Sequence, residues 1–328
     1  MKTEYSFNPA LTFIKENKKG NLVLDGRYVN GEKPEKDMLK VALKWMFSKN
    51  PQRAEKKADT FKLEVIKNKK FFDSAENGMV WLGHSSFLIR LNGIVLLLDP
   101  CLKDIPMFKR KSELPFPISD IKDVDYILYS HAHRDHFDEP SLKEILPNNK
   151  KAEFLVPMGM SNLLKKNGVS NIQEAAWYQK YNTKEELEII FLPAKHWNKR
   201  GLSDFNTILW GSFLIRTKEI SIYFAGDSAY YPHFKEIGEA LGPFDICLMP
   251  IGAYTPSYIM KPSHTSPAEA VQAFNELRGK EFIPVHYGTY DLSDEPMGEP
   301  IRLLRALKED GTLHGKLKEL KVGEFFKV

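Results

Sequence analysis

Short apolar runs separated by polar turns begin at Met79 and continue to the end of the chain, a pattern that predicts β-strands. Phe87 to Leu91 and Ile94 to Leu98 flank Asn92-Gly93, a pair that favours a two-residue hairpin turn. Further strands are predicted at residues 126–129, 154–156, 187–192, 208–215, 220–224, 246–249 and 282–285. Helical stretches lie between several of these runs. The pattern therefore predicts a domain of mixed α/β (α+β) class.

One helix start is marked by its capping residues. Ser266-Pro-Ala-Glu269 combines an N-cap serine, a proline at the first helical position and a capping-box glutamate. Val271, Phe274 and Leu277 follow at helical spacing, so we expect this face of the helix to be buried.

Residues 1–75 are rich in lysine and polar side chains and are predicted to form an N-terminal arm, packed on or extending from a main domain of residues 76–328. The arm contains one apolar stripe at helical spacing. This stripe either packs on the main domain or faces a lipid surface, since tryptophan and lysine on one helix also suit a membrane interface. Its members are Met38, Val41, Ala42, Trp45 and Met46.

Composition excludes several classes of function. The 328 residues include 47 Lys and Arg against 43 Asp and Glu, so no nucleic-acid partner is expected. Two cysteines, Cys101 and Cys247, cannot form a disulfide framework and favour the cytoplasm. No apolar run is long enough for a transmembrane helix, and no glycine-rich phosphate loop is present.

Candidate ligands for a metal are concentrated directly after the predicted strand at 126–129. The run Ser130-His131-Ala-His133-Arg-Asp135-His136 contains three histidines and one aspartate. His131 and His133 project to the same side of an extended backbone, and Asp135 and His136 follow as the chain turns. One metal ion could take the first pair and a second ion the next.

Three further candidates each follow another strand-like run: His196, Asp227 and His286. Aligned strand ends converge on one edge of a sheet, so we expect these side chains to join the histidine-rich run. Imidazole and carboxylate ligands without thiolates suit divalent zinc, manganese, iron or nickel, and zinc is the first choice.

Two such ions can hold a bridging water, lower its pKa and clamp the oxygens of a phosphoryl group. A protein nucleophile is then unnecessary. Ser85 lacks the Gly-x-Ser-x-Gly elbow of a serine hydrolase, and the histidines that could activate Ser85 or Ser228 are better used as metal ligands.

The spacing His-x-His-x-Asp-His is similar to the signature of the metallo-β-lactamase superfamily, whose fold is an αββα sandwich of two mixed β-sheets flanked by helices. Leu192-Pro-Ala-Lys-His196, Phe224-Ala-Gly-Asp227 and Pro284-Val-His286 resemble its later motifs, in the same order. Asp99 resembles the superfamily's early aspartate.

This resemblance implies two metal sites. One ion would be held by His131, His133 and His196, and the other by Asp135, His136 and His286. Asp227 would bridge the two ions. His84 and Asp99 are expected to orient the ligands.

Within this superfamily, a finer resemblance is to the branch of phospholipase D enzymes that hydrolyse N-acyl-phosphatidylethanolamine. It rests on Trp81-Leu-Gly-His84-Ser-Ser, His286-Tyr-Gly-Thr289 and Leu292-Ser-Asp-Glu-Pro296 and extends from about residue 80 to 300. Ala132, Arg134 and Lys195 stand where that branch usually carries Asn, Tyr and Gln.

The resemblance implies a phosphodiesterase that acts on N-acyl-phosphatidylethanolamine-like lipids or related small phosphodiesters. If the stripe of the arm faces lipid, the arm would provide peripheral membrane contact. Asp135 and His264 are the expected catalytic residues. His264 either contacts the substrate or serves as a cap or a core hydrogen-bonding group. A lactonase of the ascorbate-6-phosphate lactonase type and a non-catalytic metal-binding protein are the alternatives.

Overall fold

The computed structural model describes residues 2–16, 18–30, 44, 45 and 47–328. Four members of the predicted apolar stripe, Met38, Val41, Ala42 and Met46, lie outside these residues. Its fifth member, Trp45, is half-buried.

The strands are short, and most belong to two large sheets. They are β1 Thr3–Ser6, β2 Thr12–Phe13, β3 Asn21–Leu24, β4 Arg27–Tyr28, β5 Gly78–Gly83, β6 Ser86–Leu91, β7 Ile94–Leu98, β8 Tyr126–Leu128, β9 Glu153–Pro157, β10 Ile172–Ala175, β11 Gln179–Lys180, β12 Glu188–Leu192, β13 Ser212–Arg216, β14 Ser221–Phe224, β15 Ile246–Pro250, β16 Glu281–Val285, β17 Lys316–Leu317 and β18 Phe325–Lys327.

The described helices are short and are distributed along the chain between the strands. They are α1 Arg53–Ala58, α2 Lys70–Asp73, α3 Glu139–Ile145, α4 Ser161–Lys166, α5 His233–Leu241, α6 Ser257–Met260, α7 Pro267–Glu276 and α8 Glu299–Glu309, with 3₁₀ turns at Ile118–Asp120 and Leu146–Asn148.

Two mixed sheets form the centre of the fold. One has the order β10-β9-β8-β7-β6-β5-β18 and the other β17-β16-β15-β14-β13-β12-β11-β2, while β1, β3 and β4 form a small third sheet. In β7, Leu96 and Leu98 join a core that includes residues of both large sheets, whereas Leu97 packs in a second core with Leu142 of α3. Alternate residues thus face opposite sides of the sheet. The predicted mixed-sheet sandwich with flanking helices is confirmed.

The predicted hairpin is formed by β6 and β7, with Leu91 opposite Ile94. Asn92 and Gly93 have φ of 51° and 77°, as the tight turn between these strands requires. The predicted strand at 208–215 begins later, at Ser212, because the preceding backbone pairs elsewhere. The Leu209 N–H donates to Met158 O and the Gly211 N–H to Ser130 O.

Helix α7 begins as predicted. Ser266 is its N-cap, and Ser266 and Glu269 form a reciprocal capping box. Val271, Phe274 and Leu277 are fully buried in the core.

The described residues of the N-terminal arm contact the rest of the chain at several points. Strand β2 pairs with β11 at the edge of the eight-stranded sheet. Lys56 Nζ lies 2.5 Å from Asp291 Oδ1, and Asn50 Nδ2 donates to Asp294 O at 2.7 Å. The division of the chain at residue 75 stays a prediction. None of the described helices is long and apolar enough to cross a lipid bilayer.

Candidate metal centre

Side chains of the metal-ligating type meet where several strands end. His84 follows β5, Asp99 follows β7, and His131 of the histidine-rich run lies three residues after the end of β8. The structure brings all seven predicted ligands together, in overlapping groups whose ligand atoms lie within 4.8 Å of one another. We call His131, His133 and His196 the first cluster, and His84, Asp135, His136 and His286 the second cluster.

The first cluster consists of three imidazoles arranged around His133. Its Nδ1 lies 3.0 Å from His131 Nε2 and 3.0 Å from His196 Nε2. Nitrogens bound to one tetrahedral zinc ion are roughly 3.3 Å apart, given metal–nitrogen bonds of about 2.0–2.1 Å. The spacing of these three nitrogens therefore fits one small cation.

The second cluster surrounds the Oδ2 atom of Asp135. This oxygen lies 3.1 Å from His84 Nε2, 3.5 Å from His286 Nε2 and 3.7 Å from His136 Nε2. The mixture of carboxylate and imidazole atoms suits a divalent metal ion. His84 was predicted to orient ligands rather than bind metal, and its hydrogen bond to Asp135 is compatible with that role, which stays a prediction.

Asp227 lies between the two clusters. Its Oδ1 is 3.2 Å from His136 Nε2, and its Oδ2 is 3.2 Å from His286 Nε2 and 3.9 Å from His196 Nε2. One carboxylate thus faces members of both clusters, as a bridging ligand must.

Asp99 connects the two clusters from behind through Ser130. Its Oδ2 lies 2.7 Å from His136 Nδ1 and accepts the Ser130 hydroxyl at 2.5 Å, while Oδ1 accepts the Ser130 N–H. The Ser130 hydroxyl also lies 3.0 Å from His131 Nδ1. Asp99 therefore contacts one histidine directly and a second through Ser130, and its predicted role in orienting these ligands stays a prediction.

Several of these residues leave their strands with an unusual backbone conformation. His84, Asp99 and His286 have φ of 53°, 35° and 59°. Residues other than glycine seldom adopt this left-handed region, and it is enriched at functional sites. These three residues, each directly after a strand, contribute their own side chains to the shared site.

Arg200 supports the histidine-rich run and was not predicted from the sequence. Its Nη1 donates to the carbonyls of Ala132 and Phe137 at 2.8 and 2.9 Å, and its Nη2 lies 2.9 Å from Glu139 Oε1. Asn198 Oδ1 accepts the Ala132 N–H at 3.0 Å. Both polar groups of the Ala132 backbone are therefore held by the loop that follows His196.

The charges of the centre are arranged to receive cations. Burial holds the pKa of His131 and His196 well below the ordinary value, so both rings are neutral, the form that binds metal. Burial acts in the same direction on His136, but the carboxylates of Asp227 and Asp135 outweigh it and hold its pKa well above the ordinary value. A bound cation would take the place of that proton.

The fit of a metal is tested by the polar atoms that the protein leaves unsatisfied. Within the described part of the chain, His136 Nε2, His286 Nε2 and Asp227 Oδ1 are buried without a well-formed hydrogen bond. Such atoms are costly unless a ligand satisfies them. The donor set contains nitrogen and oxygen only, so the residues present fit one or more divalent metal ions.

His264, the remaining predicted site residue, and several other side chains lie at different distances from the centre. His264 Nδ1 is 3.7 Å from Asp227 Oδ2, and the ring of Trp197 lies 4.5 Å from that of His133. Lys195, a departure from the phospholipase pattern, places Nζ 4.2 Å from the Tyr231 ring centre. Phe116 is buried against Phe72 in the second core and is not part of the centre.

A family model described as the β-lactamase superfamily domain matches residues 95–287. The chain belongs to this superfamily. A metal-dependent hydrolase of Hyperthermus butylicus is 31% identical over 256 residues, which cover 75% of this chain and 97% of the relative. The protein is thus a metal-dependent hydrolase of the metallo-β-lactamase fold.

Within the superfamily, the chain is similar to the N-acyl-phosphatidylethanolamine-hydrolyzing phospholipase D 1 of Caenorhabditis elegans. The two are 35% identical over 241 residues, 68% of this chain and 66% of the relative, so the chain spans just under two thirds of that protein's length. The fold is similar to that of a solved metallo hydrolase from Ignicoccus hospitalis, at a TM-score of 0.60 and 21% identity, over 77% of this chain and 98% of that one.

Proposed function

We propose that this superfamily member is a phosphodiesterase with two metal ions that acts on N-acyl-phosphatidylethanolamine-like lipids. The observation that carries the proposal is the position of Asp227. Its two oxygens lie 3.2 Å from His136 Nε2 and from His286 Nε2, and Oδ2 also faces His196. A carboxylate in this place can bridge two ions.

Seven residues would hold the ions. The first cluster, His131, His133 and His196, would bind one ion, and Asp135, His136 and His286 would bind the other, with Asp227 shared. A pair of divalent ions lowers the pKa of a water and neutralises charge on the oxygens of a phosphoryl group. Zinc is the first choice, because imidazole and carboxylate ligands suit it.

The protein's own residues would position the ligands and the substrate. Asp99 and Ser130 fix the orientation of two histidine ligands. Asp135 would be catalytic through its place at the centre of the second cluster. His264, whose ring lies 5.2 Å from that of His196, would donate a hydrogen bond to the charge that develops on the substrate.

The lipid part of the proposal is supported by similarity and by one exposed group. The Caenorhabditis elegans relative carries the name of a phospholipase D that hydrolyses N-acyl-phosphatidylethanolamine. The side chain of Phe47, which belongs to the N-terminal arm, is 82% exposed. We propose that this part of the arm contacts the surface of a membrane or micelle. A cytoplasmic setting fits two cysteines that are both buried and free.

A panel of three substrate classes tests the proposal. Zinc-loaded protein would be assayed on N-palmitoyl-phosphatidylethanolamine, on bis(4-nitrophenyl) phosphate and on a sugar-acid lactone. We expect hydrolysis of both phosphodiesters and faster turnover of the lipid. Preferential opening of the lactone would favour the ascorbate-6-phosphate lactonase type of activity. Zinc binding without turnover of any of the three would favour a non-catalytic protein.

A further inference from the structure

A groove of about 440 Å³ lies beside the histidine-rich run. Arg134, Phe137, Lys143 and Arg200 are among its lining residues, and we call it the Arg134 groove. We propose that Arg134 and Lys143 bind a second anionic group of the substrate in this groove, apart from the phosphodiester that is cleaved. The inference rests on the proposed phosphodiesterase function and names a further feature of its substrate.

The position of Arg134 links the groove to the metal centre. It stands in the chain between His133 and Asp135, which belong to the first and the second cluster. The side chains on either side of it are partly buried in the centre, whereas Arg134 is exposed. The backbone of Arg134 therefore connects the two clusters, and the groove that its side chain lines begins directly beside them in the chain.

The carboxylates of the groove are already engaged by the protein. Asp104 Oδ1 accepts the Arg110 N–H at 2.8 Å, and Asp138 Oδ2 caps α3 by accepting the Ser141 N–H at 2.9 Å. The third carboxylate, that of Glu139, pairs with Arg200 at 2.9 Å. These three acidic groups are thus committed to structural contacts.

The two exposed cations of the groove, Arg134 and Lys143, differ from these acidic groups in their contacts. Arg134 Nη2 donates a long hydrogen bond of 3.4 Å to the carbonyl of Arg200, and within the described ranges it has no carboxylate partner. Lys143 is exposed and, among those same residues, forms no ion pair. The groove therefore has two cationic groups available for a ligand.

Two guanidinium groups, those of Arg134 and Arg200, lie close enough in the groove to repel each other. Burial lowers the pKa of Arg200, and the charge of Arg134 lowers it further. Glu139 neutralises Arg200 alone. An anion beside Arg134 would relieve the remaining repulsion, and a guanidinium binds carboxylate or phosphate oxygens in a planar, two-pronged geometry.

The chemistry of the groove thus indicates the class of ligand. Ile105 and Pro106 line it together with Phe137, so its wall is partly apolar. A short aliphatic chain that ends in a carboxylate or phosphate matches this combination. Phospholipases of the related branch usually carry tyrosine in place of Arg134. A tyrosine could donate one hydrogen bond to the ligand but supplies no positive charge.

Two lipids that differ in one terminal group would test the inference. N-butanoyl- and N-succinyl-phosphatidylethanolamine have acyl groups of the same length, but only the succinyl group ends in a carboxylate. In neutral detergent micelles we expect kcat/KM for the succinyl lipid to be higher by up to about fivefold, the upper value of one exposed ion pair. Arg134→Gln should remove this preference and Lys143→Gln should reduce it, while Lys151→Gln, an exposed control, should retain it.

The outcomes separate the subsite from the proposed function. Hydrolysis of neither lipid would contradict the phosphodiesterase proposal itself. Hydrolysis of both lipids at equal kcat/KM by the unmodified protein would overturn the subsite, as would an equal loss of preference in Lys151→Gln. Metal content is measured for each variant. If Arg134→Gln loses metal, the preference for the succinyl lipid is measured instead in Lys143→Gln and in Arg134→Lys, which keeps the charge.

Discussion

Asp99 and His136 are joined by a buried contact of 2.7 Å between the carboxylate Oδ2 and the ring Nδ1. With a proton on Nδ1, His136 would offer its Nε2 atom to a metal ion once that cation displaces the proton that Asp227 and Asp135 stabilise. The contact thus sets the tautomer that a metal ligand requires.

We expect Asp99→Asn to weaken metal binding by about 10- to 100-fold, the usual effect of changing a group that orients a ligand. Competition with a chromophoric zinc chelator would measure the affinity, and circular dichroism the fold. Asp245→Asn is the matched control, because Asp245 also accepts a backbone N–H and a hydroxyl, from Ser221, but lies outside both clusters. Equal affinities in the Asp99→Asn and unmodified proteins would contradict the orienting role.

Asp227→Ala should remove turnover and lower the metal content while the fold is retained. The reason is that this carboxylate faces both clusters but follows β14 at a strand end. Elemental analysis is expected to approach two equivalents of metal for the unmodified protein and one or fewer for the variant. A folded Asp227→Ala protein with normal turnover would exclude a bridging role.

The substitution His264→Ala should have a smaller effect on turnover than Asp227→Ala. Its Nδ1 lies 3.7 Å from Asp227 Oδ2, at the edge of the ligand set. We expect kcat to fall by about 100-fold, in the range of a lost acid, base or charge-stabilising group, with unchanged metal content. Loss of metal together with activity would mean that His264 is a ligand or supports one.

Arg200→Ala should destabilise the protein and release metal more readily. Removing the guanidinium leaves the carbonyls of Ala132 and Phe137 without their donor, and each unsatisfied buried group costs about 1–3 kcal/mol. Thermal unfolding and the rate of zinc transfer to a chelator are the measurements. Arg216→Ala, which removes a surface pair with Glu188, should leave zinc transfer unchanged. If both variants behave alike, Arg200 has no special role at the metal centre.

Hydrolysis should become faster as one acyl chain of the lipid is lengthened on a constant head group. Burial of each methylene contributes up to about 0.8 kcal/mol, or roughly fourfold in kcat/KM. A series from acetyl to palmitoyl on the nitrogen would be assayed below the KM of each lipid. Equal kcat/KM for all members of the series would contradict a lipid-binding site but not the phosphodiesterase activity.

The convergence of the metal centre could be predicted from the sequence because each candidate ligand follows an apolar run. Strand ends are visible as a change of hydrophobic pattern, and His196, Asp227 and His286 all occur at such a change. The support from Arg200 could not be predicted, since a side chain that donates to backbone carbonyls of Ala132 and Phe137 leaves no periodic signal.

The same limit explains the error at the strand predicted over 208–215. Its apolar residues fit a strand. The backbone N–H groups of Leu209 and Gly211, however, donate to the carbonyls of Met158 and Ser130 and not to a neighbouring strand of the sheet. Competition between two hydrogen-bond partners for the same backbone depends on tertiary structure. Local sequence therefore gave the presence of β13 but not its first residue.

The eight-stranded sheet ends on both sides in strands of only two residues, β17 at Lys316–Leu317 and β2 at Thr12–Phe13. An edge strand exposes unpaired backbone groups to which another chain can add, and a very short one offers few of them. These two outer strands therefore protect the sheet against self-association in concentrated solution. The strand next to β2, β11 at Gln179–Lys180, is equally short, so this edge would still offer few backbone groups if β2 were removed.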